Sequence, residues 1–245
     1  MNKLSEVKIK IYAIEILHEI KKHLTYKDLS TELRLPAPVI SRYVKGHVLP
    51  NLDRAEKIIG WYEENYFRKM LRQEIYVGDE GVIDVSSLTY NTILQCVIAK
   101  HALNFFKDVT VTKILTVETN GIPIAIQTGN AFGVDVIIAR KERQVGVKRY
   151  YEERYSFVPP VIRSLYVPKT SLKENDHILI VDDLVRSGNT IKALLNIINK
   201  SGATLSGIFS VIEVNRVMDK LKSELKIDAP MLSILSKVTE ASLVF

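Results

Sequence analysis

The sequence predicts an α/β protein in which a mainly parallel sheet flanked by helices follows an all-helical segment. Three observations support this fold class. From about residue 83, short apolar runs rich in Val and Ile alternate with helical patterns. One run, Ile178–Val181, is continuously apolar, as expected for a strand that is buried on both faces. Residues 7–60, by contrast, read as short helices, so we expect two domains, residues 1–72 and 73–245.

The front segment is expected to contain short helices separated by capping and turn residues. Thr25 can cap the second helix and Gly46 can end the third. Pro36 and Pro38 stop one helix and start the next, because proline suits a first helical turn but not a helix interior. The predicted helices are one carrying Ile11, Ile14, Leu17 and Ile20, one carrying Leu29 and Leu33, one over Pro36–Lys45, one over Leu52–Ile59, and a continuation over Trp61–Leu71.

The second domain is expected to alternate strands and helices, an order that is typical of parallel sheets. The predicted strands are Val109–Val117, Val134–Ala139, Ile178–Val181 and Leu205–Val214, and the predicted helices are Thr89–Phe106, Ile122–Gly129 and Ile191–Lys200.

Composition and charge limit the class of protein. The 245 residues are 47% hydrophobic and 25% charged, as in ordinary globular proteins. The net charge of +6 is concentrated at the front, where residues 1–72 carry 14 Lys/Arg and 9 Asp/Glu, a net of +5. A basic front segment suits contact with nucleic acid, although a solvated charged surface would have the same composition.

The cysteine count and the apolar runs predict a cytoplasmic protein. Cys96 is the only cysteine, so an intrachain disulfide is impossible, which fits a reducing compartment. The N-terminus lacks the apolar core of a signal peptide. No run approaches the ~20 apolar residues that a membrane-spanning helix needs, so no membrane partner is expected.

The stretch from Ile178 to Thr190 carries the clearest chemistry. Its apolar strand delivers Asp182 and Asp183 to the carboxyl end of the sheet, where open α/β sheets bind ligands. The loop Arg186–Thr190 then offers backbone N–H groups and hydroxyls at a helix N-terminus, which favours phosphate. The carboxylates can accept hydrogen bonds from ribose hydroxyls, and the loop beside them can bind a phosphate. Together they indicate a sugar-phosphate site. The alternative is an ordinary strand-turn-helix corner.

These residues resemble the signature of the type I phosphoribosyltransferases, which bind phosphoribosyl pyrophosphate (PRPP). The resemblance implies a type I phosphoribosyltransferase fold with a small hood that selects the base. It implies that Asp182 and Asp183 face the ribose 2- and 3-hydroxyls and that the 5-phosphate is wrapped by Val185, Arg186, Ser187, Gly188, Asn189 and Thr190. It further implies a pyrophosphate site formed by Glu118, Thr119, Asn120 and Gly121, with Arg140 and Lys141 as nearby cations and Mg²⁺ bound together with PRPP.

Two segments of this domain leave alternatives open. Residues 144–160 are basic and aromatic, and they fit either a loop that closes over the ligand or an exposed hairpin without ligand contact. The candidates for the hood are Gln73–Leu88 and Arg216–Lys237, neither of which shows a recognisable base-reading pattern. The base or nucleotide ligand therefore stays open, and no residue is assigned as catalytic or as a metal ligand.

The front segment resembles the phage-repressor type of helix-turn-helix domain, through the spacing of Ile40-Ser41-Arg42-Tyr43, Gly46 and Pro50. By that resemblance the helix Pro36–Lys45 reads DNA, with Ser41, Arg42 and Lys45 on or near its outer face and Tyr43 beside them. The alternative is a helical oligomerisation or capping domain with the same number of helices.

Two functions from different classes fit the whole chain. The preferred interpretation is a DNA-binding transcription regulator that senses PRPP or a related purine or ribose-phosphate ligand, and that acts as a homodimer. The chain resembles archaeal regulators that fuse a helix-turn-helix domain to an orotate-phosphoribosyltransferase-like domain, and it is similar in plan to the Gram-positive purine repressor. Asn120 stands where many active enzymes carry Arg or Lys, so little turnover is expected. The alternative is an active phosphoribosyltransferase.

Overall fold

The chain folds into two compact units, Met1–Glu74 and Ile75–Phe245. The computed structural model describes residues 3–77, 83–158, 161–239 and 242–244, and the following account is confined to them.

The first unit is helical, and its sequence signals act where they were expected. Thr25 precedes the second helix, and its side chain and that of Asp28 exchange hydrogen bonds with each other's backbone N–H, forming a capping box. Asn51 was not among the predicted caps, and its side chain caps the fourth helix by accepting from the Arg54 N–H at 3.0 Å. The described helices are α1 (Lys3–Ile20), α2 (Tyr26–Leu33), α3 (Ala37–Val44), α4 (Leu52–Asn65) and α5 (Phe67–Gln73).

The core of this unit corrects one prediction about α3. Arg42 and Lys45 are exposed and Ser41 is half-buried, but Tyr43 is only 3% exposed. The Tyr43 hydroxyl accepts a hydrogen bond from Arg54 Nη1 at 3.1 Å, so its polar end is satisfied inside the unit. The expectation that Tyr43 lies on the outer face with Arg42 is therefore wrong, because its ring belongs to the apolar stripe that includes Ile40.

The second unit is the expected α/β fold with a mainly parallel sheet. Within its described residues, a six-stranded sheet has the order β10-β9-β8-β7-β3-β4, in which the β9–β10 pair is antiparallel and the other pairs are parallel. The elements are β1 (Tyr76–Val77), β2 (Ile83–Asp84), α6 (Ser86–Tyr90), α7 (Thr92–Phe105), β3 (Lys113–Val117), α8 (Gly121–Phe132), β4 (Asp135–Ala139), β5 (Tyr150–Val158), β6 (Val161–Pro168), β7 (His177–Val185), α9 (Asn189–Ser201), β8 (Thr204–Val214), α10 (Val217–Leu225), β9 (Met231–Thr239) and β10 (Ser242–Val244).

The central strands are covered on both faces, as a parallel sheet requires. Leu115, Ile178 and Ile180 belong to a core cluster that also contains the apolar side of α9. The alternate residues Ile114 and Leu179 are fully buried as well, and α8 packs on β3 and β7. This arrangement places the carboxyl ends of β3, β4 and β7 at one edge of the sheet.

Several boundaries differ from those expected. The strand Ile178–Val181 extends to Val185, because β8 pairs with β7 beyond the acid pair. The helix expected over Thr89–Phe106 is interrupted at Asn91, whose side chain accepts from the Leu94 N–H at 3.0 Å and caps α7.

Of the two hood candidates, the first falls partly outside the described residues. Tyr76–Val77 pairs with Ile83–Asp84 in a small separate sheet, and residues 78–82 are not described. The second candidate is corrected, because Met231–Thr239 pairs in parallel with β8 and so belongs to the main sheet. None of the helices in the described part of the chain is long and apolar enough to cross a membrane.

Candidate functional site

A pocket of about 450 Å³ opens at the carboxyl edge of the sheet. It brings together the ends of β3, β4 and β7, the loops that follow them, and part of β5. Twelve of the fourteen predicted ligand residues line it; the two that do not are Arg140 and Asn189. The lining residues are Val117, Glu118, Thr119, Asn120, Gly121, Lys141, Tyr155, Ser156, Asp182, Asp183, Leu184, Val185, Arg186, Ser187, Gly188, Thr190 and Ile191.

The acid pair, Asp182 and Asp183, lies inside β7 near its carboxyl end rather than in the loop after the strand. The Asp183 N–H donates to Asp182 Oδ1 at 3.0 Å, which fixes one carboxylate oxygen at the strand end. Burial, followed by the neighbouring Asp183 carboxylate, raises the pKa of Asp182 well above its ordinary value. Burial also raises the pKa of Asp183. Burial removes water that would otherwise donate hydrogen bonds to the two acids. Ligand hydroxyls can donate to them in place of that water.

The phosphate loop, Arg186–Thr190, lies at the N-terminus of α9. Gly188 adopts φ +75°, a left-handed conformation that favours glycine, and it precedes the first helical residue, Asn189. A β-carbon at Gly188 would lie 2.8 Å from Leu221 Cδ1, so α10 closes the back of this loop. The N-terminal end of α9 therefore borders the pocket, which Gly188, Thr190 and Ile191 line, and a helix N-terminus favours anions.

The second loop, Glu118–Gly121, leads directly into α8 and presents another helix N-terminus to the pocket. The Glu118 carboxylate is turned toward β4, where it accepts from the Lys141 N–H and lies 3.8 Å from Arg140 Nη1. Glu118 therefore holds the end of β4 in place. Lys141 lines the pocket, whereas Arg140 does not.

Residues 144–160 include β5, the first strand of a β-hairpin whose second strand, β6, follows them. Tyr155 and Ser156 of β5 line the cavity, which favours the option of a segment that covers the ligand; ligand contact stays a prediction. The hairpin is tied to α9, where Asn189 Nδ2 donates to the Ser156 carbonyl at 2.9 Å and Asn196 Nδ2 donates to Glu153 Oε1 at 2.9 Å. The Asn189 side chain therefore bonds to the hairpin and does not line the cavity.

Sequence reasoning did not single out five of the lining residues, Val117, Tyr155, Ser156, Leu184 and Ile191, and among them Tyr155 has the largest polar side chain. It is 8% exposed and burial raises its pKa. The one available signal was the aromatic content of Lys148–Tyr155, which does not tell which tyrosine faces a ligand.

Comparison with known proteins identifies a family match over this unit. A family model described as a phosphoribosyl transferase domain matches residues 84–243, which is more than half of the chain. Xanthine phosphoribosyltransferase from Latilactobacillus sakei is 32% identical over 148 residues, covering 58% of this chain and 76% of the relative. Xanthine phosphoribosyltransferase from Pseudomonas fluorescens is 35% identical over 150 residues, covering 59% and 79%.

Solved structures share the fold. Adenine phosphoribosyltransferase from Thermoanaerobacter pseudethanolicus superposes with a TM-score of 0.61 at 18% identity, covering 69% of this chain and 99% of that one. The Trypanosoma brucei adenine phosphoribosyltransferase, solved with AMP, pyrophosphate and ribose-5-phosphate, gives a TM-score of 0.62 at 16% identity, covering 72% and 81%. At these identities the likeness concerns the fold alone.

The named relatives correct the functional prediction. They are transferases, which contradicts the expectation of a DNA-binding transcription regulator with little turnover and supports the enzymatic alternative. Asn120 lines the pocket together with eleven other predicted ligand residues, and its effect on turnover stays a prediction.

Proposed function

This chain belongs to the phosphoribosyltransferase family, and on that premise we propose that it is an active purine phosphoribosyltransferase. The reaction joins a purine ring nitrogen to C1 of the ribose of PRPP, breaks the bond from C1 to pyrophosphate, and releases the proton of that ring nitrogen. The observation that carries the proposal is the single cavity lined by the acid pair and by both anion-binding loops.

The ribose-phosphate end of the substrate is assigned to β7 and α9. Asp182 and Asp183 accept hydrogen bonds from the two ribose hydroxyls. The loop Arg186–Thr190 holds the 5-phosphate through its backbone N–H groups, with the Arg186 guanidinium adding charge. Each part restrains one end of the sugar, so C1 is presented in a fixed orientation to the base.

The leaving pyrophosphate is assigned to the loop Glu118–Gly121 and to Lys141. As the bond to C1 breaks, negative charge grows on the pyrophosphate and positive charge on the ribose. The N-terminus of α8 and the Lys141 ammonium group stabilise the former, and the carboxyl oxygens of the acid pair stabilise the latter. Asn120 is neutral, so Lys141 supplies the positive charge beside the pyrophosphate that position 120 does not provide.

Mg²⁺ is proposed to enter together with PRPP. Among the described residues, no group of three or more His, Cys, Asp or Glu side chains is arranged to hold a metal. Mg²⁺ prefers oxygen ligands and usually keeps several waters, so pyrophosphate oxygens and water would supply most of its ligands. Such an ion neutralises the polyanion, while the protein residues orient the ribose.

Xanthine is the base that the relatives favour. The relatives at 32–35% identity named above are xanthine phosphoribosyltransferases, whereas the adenine enzymes share only the fold. The homodimer and the cytoplasmic location stay predictions.

The test is a base panel. Nucleotide formation from PRPP and Mg²⁺ is measured with xanthine, guanine, hypoxanthine and adenine, and we expect the highest kcat/KM with xanthine. The matched control is the Asp182→Asn, Asp183→Asn double variant, which should lose activity with all four bases. Equal activity of the control and the unaltered protein would contradict the proposed site.

A further inference from the structure

A buried hydroxyl without a partner lies under the pocket. Thr116 is fully buried on β3, the strand beside β7. Among the residues that the structure describes, no group forms a hydrogen bond with its Oγ1. Buried polar groups are nearly always paired, so an unpaired one next to a ligand site needs a physical reason.

The geometry around Gly121 shows how close this hydroxyl is to the acid pair. A β-carbon at Gly121 would lie 2.8 Å from Asp182 Oδ1 and also 2.8 Å from Thr116 Oγ1. The two oxygens are therefore separated by no more than twice that distance. Because position 121 carries no side chain, the space between them is free for the carboxylate to turn toward the hydroxyl.

Resting on the proposed function, we infer that Thr116 is a positioning residue for Asp182: when a ribose phosphate binds, the Thr116 hydroxyl donates a hydrogen bond to the Asp182 carboxylate and holds it toward the ribose. The hydroxyl then gains the acceptor that it lacks in the ligand-free chain. A donor at this point stabilises the ionised carboxylate more than the protonated one, because hydrogen bonds to charged acceptors are stronger.

Several charged or titratable groups also act on the Asp182 carboxylate. Asp183 on the same strand opposes its ionisation and Lys141 after β4 favours it. Burial and the Asp182 carboxylate in turn raise the pKa of Tyr155 on β5. On the facing strand β6, Arg163 pairs with Tyr155 in the hairpin register. Thr116 is neutral at every accessible pH, so removing its hydroxyl changes a single donor and leaves these charges in place.

The test compares Thr116→Val with the unaltered protein by calorimetry with ribose 5-phosphate over a pH series. We expect Thr116→Val, which keeps the shape of the side chain, to weaken affinity about tenfold where Asp182 is ionised. The penalty should shrink as pH falls and the carboxyl becomes protonated, while protonation of the ligand phosphate affects both proteins alike. Thr116→Ser should restore the affinity because it restores the hydroxyl.

Two further variants keep the test decisive. Thr128→Val removes another fully buried hydroxyl, one that donates to the Ile124 carbonyl within α8, and it should leave affinity unchanged. If Thr116→Val does not fold, Thr116→Ala and Thr116→Ser provide the same comparison, since they differ from each other by the hydroxyl alone.

The outcomes separate this inference from the proposed function. If the unaltered protein binds ribose 5-phosphate but Thr116→Val binds equally well, or carries a penalty that is constant with pH, the inference fails and the proposed function stands. If the unaltered protein binds neither ribose 5-phosphate nor PRPP with Mg²⁺, both fail. A penalty that depends on pH and is rescued by serine supports the inference.

Discussion

Asn189 donates a hydrogen bond from its side-chain amide to the backbone carbonyl of Ser156 at 2.9 Å. This contact joins the first residue of α9, where the phosphate loop ends, to the hairpin strand that lines the pocket. The hairpin strand that lines the pocket is therefore tied directly to the start of the helix that follows the loop Arg186–Gly188.

Loss of this contact should loosen the hairpin. We expect Asn189→Ala to remove about 0.5–1.5 kcal/mol from the interaction that holds the hairpin against α9. Amide hydrogen exchange in Tyr150–Ser156 should become faster, and the Kd for PRPP should rise several-fold. Asn196→Ala is the matched control, because Asn196 holds Glu153 outside the pocket. It should speed exchange near Glu153 without a comparable change in PRPP affinity, and equal effects of both variants would argue against the link.

The acid pair should dominate the affinity for PRPP. Replacing both residues, in the variant Asp182→Asn, Asp183→Asn, should cost about 1.5–3 kcal/mol for each charge-assisted hydrogen bond that is lost. Calorimetry with PRPP and Mg²⁺ measures this loss. Asp135→Asn, an exposed carboxylate at the opposite end of β4, is the control and should bind as the unaltered protein does. Unchanged affinity in the double variant would rule out the assigned ribose site.

The same double variant should be more stable at neutral pH. Burial raises the pKa of Asp182 and of Asp183, so in the folded protein their charged forms are disfavoured. For an acid with a raised pKa, the folded state binds more protons, and its stabilising contribution is present below the unfolded pKa and lost as pH rises through the folded one. Thermal unfolding should show a higher Tm for the variant near pH 7 and a smaller gain near pH 4, about the ordinary pKa of Asp. A lower Tm at neutral pH would contradict this account of the site.

Space at Gly121 should be essential for binding. In Gly121→Ala the new methyl group would meet Asp182 Oδ1 and Thr116 Oγ1, each at 2.8 Å, so the carboxylate must move. We expect PRPP affinity to fall at least tenfold. Gly60→Ala in α4 is the control, since no atom lies within 4 Å of its β-carbon, and the substitution should stabilise that helix by about 0.5–1 kcal/mol without affecting binding. Similar binding by the two variants would show that the close approach at Gly121 is dispensable.

The parts of the site that could be predicted have local sequence signals. The apolar run before Asp182 marks a buried strand, and Gly188 with the helical pattern after it marks a turn into a helix, so the strand, the turn and the helix were predicted correctly. That Asp182, Asp183 and the loop bind a ribose phosphate stays a prediction. Thr116 and Tyr155 have no such signal. Both are singled out only by their place in the fold: Thr116 lies across Gly121 from Asp182, and Tyr155 lines the pocket.

The functional error has a related physical cause. Helical spacing and capping residues correctly predicted the helices of the first unit, but they describe how the backbone folds rather than what its surface binds. Tyr43 illustrates this, because its place in the pattern suggested an exposed contact while its ring is buried and its hydroxyl pairs with Arg54. The match to transferases rests instead on residues 84–243.

The central claim, that the pocket turns over PRPP rather than only binding it, is tested most directly by counting products. The full chain is mixed with PRPP, Mg²⁺ and excess xanthine, and xanthosine monophosphate and pyrophosphate are quantified over time. We predict equal amounts of the two products, rising to many equivalents per protein chain. PRPP binding without product beyond one equivalent per chain, with xanthine and with the other three bases, would contradict the claim.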